Sequence, residues 1–121
     1  MPKVYIIDDD ESVSRALNRL LRSAGFDTRT FATVKAFTDS EFESADGCVL
    51  ADVRMPGGSG LDLPERLHRL GRELPVIFLT AQDTETTRAA ARRAGAAGFF
   101  HKPVDDQALI DAIEWALVNG R

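Results

Sequence analysis

Apolar residues along this chain follow two rhythms. Short runs of strand length stand at KVYII, GCVLA and PVIFL, with weaker ones at DTRTF and AGFFH, and segments of helical spacing fill the intervals between them. Val13, Leu17, Leu20, Leu21 and Ala24 share one helical face, which Gly25 brings to a stop. Between Ala32 and Glu43, Val34 and Phe37 mark a less regular helix, and Leu63, Leu67 and Leu70 mark another that ends at Gly71. The stretch TETTRAAARRA has only alanine for its apolar face. The last helix, from Asp105 to Asn119, turns Leu109, Ile113, Ala116 and Leu117 inward and finishes at Gly120. Pro64 lacks an amide proton and would interrupt a helix begun at Ser59 or Gly60, so the third helix is predicted to start near Leu63. Asp62 then serves as its N-cap, Pro64 falls in the tolerant first turn and Glu65 closes a capping-box-like pair.

Five strands alternating with five helices predict an α/β fold, a single doubly wound five-stranded parallel sheet covered on both faces, with right-handed crossovers. The chain of 121 residues suffices for one domain, 1–121, and is too short for two ordinary ones. Its 44% apolar and 28% charged residues are those of a globular protein, and no apolar stretch approaches bilayer length. The N-terminus MPKVYII lacks the pattern of a secretory signal and Cys48, the only cysteine, has no partner for an internal disulfide, so a cytoplasmic location is expected. A net charge of −4 offers no broad cationic surface, and DNA or RNA binding would need a further domain.

In sheets of this kind ligands bind outside the carboxyl ends of the strands, near the point where strand order reverses. Those ends read Asp8 and Asp9 after the first strand, Asp52 after the third, Thr80 after the fourth and Lys102 after the fifth. Three consecutive aspartates, Asp8 to Asp10, repel one another unless something neutralises them. Asp10 has a structural use as cap of the helix beginning near Glu11. Asp8, Asp9 and Asp52, with few competing nitrogen or sulfur ligands, suit a hard divalent cation, and Mg²⁺ commonly takes one or two carboxylates, waters and a phosphate. Lys102 stands out in a chain with 12 Arg and only 3 Lys, and supplies a compact second positive charge. Thr80 offers a hydroxyl to a phosphoryl oxygen, and Ala81 leaves the approach open. Cys48 reads as a small core residue, His68 and His101 lack neighbours at metal-ligand spacing, and Trp115 lies on the outer side of the last helix.

The segments IIDDDES, LADVRMPGGSGLDL, VIFLTAQD and GAAGFFHKPVDDQAL occur in the order and spacing of a known family. The chain resembles the receiver domain of bacterial two-component response regulators, the CheY-like superfamily, over its whole length, and its wording is most similar to the FixJ-like branch. The resemblance implies that Asp52 is the phosphoacceptor, that Asp9 is the main carboxylate on Mg²⁺ with Asp8 its companion through water, and that the backbone carbonyl of Arg54 completes the metal site. It implies that Thr80 and Lys102 hold phosphoryl oxygens and that Phe99 is an aromatic switch. A histidine kinase would supply the phosphoryl group by in-line transfer, making this a signalling domain rather than an enzyme, one that assists its own phosphorylation and dephosphorylation. The response expected is an inward pull on Thr80, rotation of Phe99 and a shift of the fourth helix, fifth strand and fifth helix. Phosphorylation-dependent self-association through that surface is expected too, with Arg88, Arg92 and Arg93 meeting Asp105, Asp106 or Asp111 of a second copy. Members of this branch usually carry a C-terminal helix-turn-helix domain that binds DNA, and the chain is expected to be the receiver portion of such a transcriptional regulator. Gly58 departs from the larger apolar residue many members have there.

Three rival readings stand beside this one. A flavodoxin-like FMN binder receives phosphate in its first loop, which here is acidic, and it would show a flavin spectrum. An aspartate-nucleophile phosphatase generally places a second Asp two residues on, where this chain has Arg54. A stand-alone receiver would act through protein contacts alone.

Overall fold

The computed structural model describes residues 2–42, 46–55 and 58–119. Its main elements are β1 (Lys3–Ile7), α1 (Glu11–Ser23), β2 (Asp27–Phe31), α2 (Val34–Asp39) and β3 (Gly47–Asp52). There follow a two-residue hairpin, β4 (Arg54–Met55) and β5 (Gly58–Ser59), a 3₁₀ turn at Gly60–Asp62 and α3 (Leu63–Arg69). The chain closes with β6 (Val76–Thr80), α4 (Glu85–Arg93), β7 (Gly98–His101) and α5 (Asp106–Asn119).

The long strands form one parallel sheet in the order β2-β1-β3-β6-β7. Strand order reverses between β1 and β3, so their carboxyl ends flank the crevice where such sheets take ligands. Alternate side chains of each strand serve opposite faces. Tyr5, Ile7, Val49, Ala51, Val76 and Phe78 pack with Phe37, Leu63, Leu67 and Ala91 on one side. Val4, Ile6, Cys48, Leu50, Ile77 and Leu79 pack with Leu21, Leu109, Ile113 and Ala116 on the other. This double burial is why the strands read as continuous apolar runs. Among the described residues no helix is long and apolar enough to cross a membrane.

Asp10 caps α1 as expected, accepting the amides of Ser12 and Val13. At the other end Gly25, at φ 96°, takes the left-handed turn, with its amide on Arg22 O and that of Phe26 on Leu21 O. The same bond pair ends α3 at Gly71 and α4 at Gly95.

Three expectations need correction. The helix expected over Ala32 to Glu43 is only six residues long: Ser40 turns extended, its hydroxyl donates to Phe37 O, and Phe42 folds back to stack on Phe37 with centroids 4.4 Å apart. Glu43 lies outside the described residues, as do Gly120 and the Pro56–Gly57 pair of the DVRMPG motif. α3 does begin at Leu63 with Pro64 in its first turn, but Asp62 makes no side-chain cap; the preceding 3₁₀ turn holds it in helical conformation, and Glu65 pairs instead with Arg69 at 3.2 Å. The five strands expected are joined by a short hairpin, in which Gly58 pairs with Met55. In α4 the sole fully buried side chain is Ala91, as its alanine-only face foretold.

Candidate functional site

Asp8 follows β1 directly and is almost fully buried, at 4% exposure. One carboxylate oxygen accepts the amide of Asp10 at 2.9 Å and the other accepts Lys102 Nζ at 2.8 Å. Asp52 ends β3, half-buried beside it; its Oδ1 accepts the Arg54 amide at 3.1 Å and its Oδ2 lies 3.3 Å from Lys102 Nζ. Asp9 is exposed at the mouth. One oxygen from each of Asp8, Asp9 and Asp52 falls within 4.8 Å of the others, an all-carboxylate set of the kind hard divalent cations take. The sheet brings these residues together across sequence separations of 50 and 94 positions from Lys102.

Lys102 leaves β7 as that strand's ladder closes, its amide donating to Thr80 O at 2.8 Å, and the next peptide bond, to Pro103, is cis. Only 19% of its side chain is exposed, and it runs inward to bridge Asp8 and Asp52. Burial alone would lower the ammonium's pKa, but its contacts with Asp8 and Asp52 outweigh that, so it is raised and the group stays charged. Asp52 is shifted upward, chiefly by burial and in part by the neighbouring Asp8 charge, against the opposing pull of the Arg54 amide and Lys102. The acidic loop thus already holds one internal counter-charge, a partner the sequence reading assigned to phosphoryl oxygens alone.

Thr80, at the end of β6, is buried at 1% exposure. Its hydroxyl donates to Gln82 O at 3.1 Å and accepts the Gln82 amide at 3.0 Å, so it is engaged with its own loop. Phe99 is half-buried on β7, opposite Phe78, with the Arg88 guanidinium over its ring. Arg88, expected to reach a second copy, is forked on Asp83, through bonds of 2.5 and 2.6 Å. Its spacing of five residues from Asp83 gave no helical-face signal, because Asp83 precedes α4. Arg54 stands exposed on β4 with its amide committed to Asp52.

The remaining candidates divide between the core and the surface. Cys48 is fully buried and its thiol is pushed up to about 12 by burial, which leaves it inert. His68 pairs with Glu73 at 3.0 Å and His101 Nε2 lies 3.2 Å from Ala81 O. Trp115 and Val118 are exposed at 59% and 84%.

Residues 4–114 match the family described as response regulator receiver domain. The chain is 42% identical over 118 residues to the transcriptional regulatory protein TdiR of Thauera aromatica, covering 98% of this chain and 52% of that protein. It is 40% identical over 114 residues to the response regulator protein TodT of Pseudomonas putida, covering 94% and 50%. The chain therefore spans about half the length of these curated relatives. Among solved structures it superposes on the response regulator StyR with a TM-score of 0.87 at 42% identity, covering 97% of this chain and 59% of that one. On FixJ-N the TM-score is 0.85 at 32% identity, covering 98% and 95%.

Proposed function

The chain belongs to the response regulator receiver domain family, and from that premise we propose that it accepts a phosphoryl group on Asp52 from a histidine kinase and relays the change to the surface of α4, β7 and α5. The observation that carries this reading is the placement of Asp52: a half-buried carboxylate at the reversal point of the sheet, 3.3 Å from an ammonium and grouped with Asp8 and Asp9.

In the transfer a carboxylate oxygen of Asp52 forms a bond to phosphorus while the bond from phosphorus to the kinase imidazole nitrogen breaks, the electron pair leaving with the imidazole. The product is an acyl phosphate. Lys102 lies within reach of Asp52 and would exchange its contact there for one with a phosphoryl oxygen, keeping Asp8 as its anchor. The oxygen-only donor set fits Mg²⁺, which Asp8, Asp9, Asp52 and the Arg54 carbonyl would hold. Bound there, it supplies positive charge that offsets the charge on the phosphoryl oxygens. Thr80 would turn its hydroxyl from Gln82 O to the phosphoryl group, and Phe99 would follow into the space that Thr80 vacates.

The role is that of a stoichiometric phosphoacceptor rather than a turnover enzyme. TdiR is named a transcriptional regulatory protein, which favours an output on transcription through a DNA-binding portion beyond this domain. The decisive experiment is intact-mass analysis after incubation with acetyl phosphate and Mg²⁺. The wild-type protein gains one phosphoryl group and Asp52→Asn gains none. An adduct of equal yield on folded Asp52→Asn would place the acceptor elsewhere.

A further inference from the structure

The loop between β6 and α4 is gripped at three points. Thr80 holds Gln82 through both its carbonyl and its amide. His101 Nε2 lies at hydrogen-bond distance, 3.2 Å, from Ala81 O. Arg88 reaches back from α4 to fork Asp83, with Nε donating to one carboxylate oxygen and the terminal nitrogen to the other. The same guanidinium lies over the ring of Phe99, with Cζ 5.5 Å from its centroid. Loop, helix and aromatic ring are thus joined through one planar side chain, whose two-bond geometry holds only while Asp83 stays in place.

A hydroxyl donates one hydrogen bond, so Thr80 cannot serve a phosphoryl oxygen on Asp52 and Gln82 O together. Turning that donor away breaks the Gln82 O bond and leaves the loop only the Gln82 amide on Thr80, so Asp83, one residue further on, is held less firmly and the Arg88 fork loses its fixed partner. α4 offers little resistance, with Ala91 as its one fully buried side chain. We propose that Arg88 is a positioning residue that latches the resting state, clamping the loop through Asp83 and the switch ring through Phe99, and that phosphorylation acts by opening this latch. The proposal rests on the phosphoacceptor reading of Asp52.

A contact made only in the resting state lowers the population of the active one, so its removal raises affinity for an active-state ligand by the same factor. The test compares Arg88→Ala, Arg88→Lys and Asp83→Asn with wild type in two measurements. NMR relaxation dispersion on the Phe99 ring of the unphosphorylated protein reads the minor conformer directly. Titration with beryllofluoride and Mg²⁺ reads the coupling to the site. Arg88→Ala and Asp83→Asn should each raise the minor population and tighten beryllofluoride binding about fivefold. Arg88→Lys, which keeps the charge and loses the fork, should fall between, and the double variant should gain no more than either single one. Asp83→Asn keeps the side chain's size, so its folding is secure. A residue that merely supported the fold would lower the melting temperature without tightening binding. An unchanged Phe99 population and unchanged affinity in both variants would overturn the latch and leave the phosphoacceptor reading standing. A wild-type protein that takes no beryllofluoride would overturn both.

Discussion

A Cβ atom on Gly60 would lie 2.3 Å from the backbone carbonyl oxygen of Asp52. Gly60 also donates its amide to Val53 O at 2.9 Å, so the 3₁₀ turn before α3 is pressed directly against the end of β3. The obstructing atom is backbone in the sheet and cannot swing aside. Gly60→Ala should therefore displace the segment that carries Asp52, the proposed acceptor, costing about 1–3 kcal/mol as overpacking does and slowing labelling by acetyl phosphate. Chemical denaturation and labelling rates check this, and an alanine variant as stable and as reactive as wild type would show the contact to be soft.

The upward shift of Asp52 has a definite sign in stability. A carboxyl whose folded pKa exceeds its unfolded one binds more protons when folded, so folding loses stability as pH rises through the window between the two values. The window begins at the ordinary carboxylate range, and the loss stays in force at neutral pH. Asp52→Asn removes the buried charge with little change in size and should melt higher than wild type at pH 7. The gain should shrink at acidic pH, where Asp52 is protonated. Melting curves at both pH values measure it, and a gain independent of pH would assign it to some other cause.

Mg²⁺ should raise the melting temperature of the unmodified protein, because a ligand that binds only the native state adds stability by mass action, about 2.7 kcal/mol at a hundred times its Kd. Asp9 is the exposed member of the triad and makes no contact with Lys102 comparable to that of Asp8. Asp9→Ala should abolish the shift while leaving the apo melting temperature nearly unchanged. Differential scanning fluorimetry across a magnesium titration is sufficient, and an undiminished shift in the variant would remove Asp9 from the site.

Activation should promote a two-fold dimer through α4, β7 and α5, in which each contact occurs twice. Arg93 is exposed at the end of α4, where Arg92 lies 3.6 Å from Glu85, and Asp106 and Asp111 stand on α5 with Asp105 just before it. Sedimentation velocity should show a monomer at rest and a dimer with beryllofluoride, weakened by Arg93→Glu. A monomer persisting at high concentration with the mimic bound would sink the dimer.

The sheet and the grouping of the candidate residues were legible in the sequence for a common reason: parallel strands buried on both faces leave continuous apolar runs, and the polar residue that ends each run marks the carboxyl edge of the sheet. Asp8, Asp52, Thr80 and Lys102 were found that way. What the sequence hid were contacts made by residues that turn back on themselves. Phe42 looks like helix continuation until it stacks on Phe37, and Asp62 looks like a cap until the 3₁₀ turn claims it. The hairpin of β4 and β5, two residues a side, is too short to leave a period. Arg88 looked free because its partner sits in a loop, outside any helical spacing rule.

β7 is the last strand of the sheet, paired along one side only, with β6. Asp8 and Asp52 hang from β1 and β3, each clasped by two neighbours, while Phe99 rides on the strand that has one. On the proposed function, the bond-forming carboxylates are mounted on the middle of the sheet and the switch ring on its rim. A strand with a single neighbour can tilt or slide without tearing the ladder between the inner three, so a switch placed there would move at the boundary with solvent while the geometry around Asp52 stayed still.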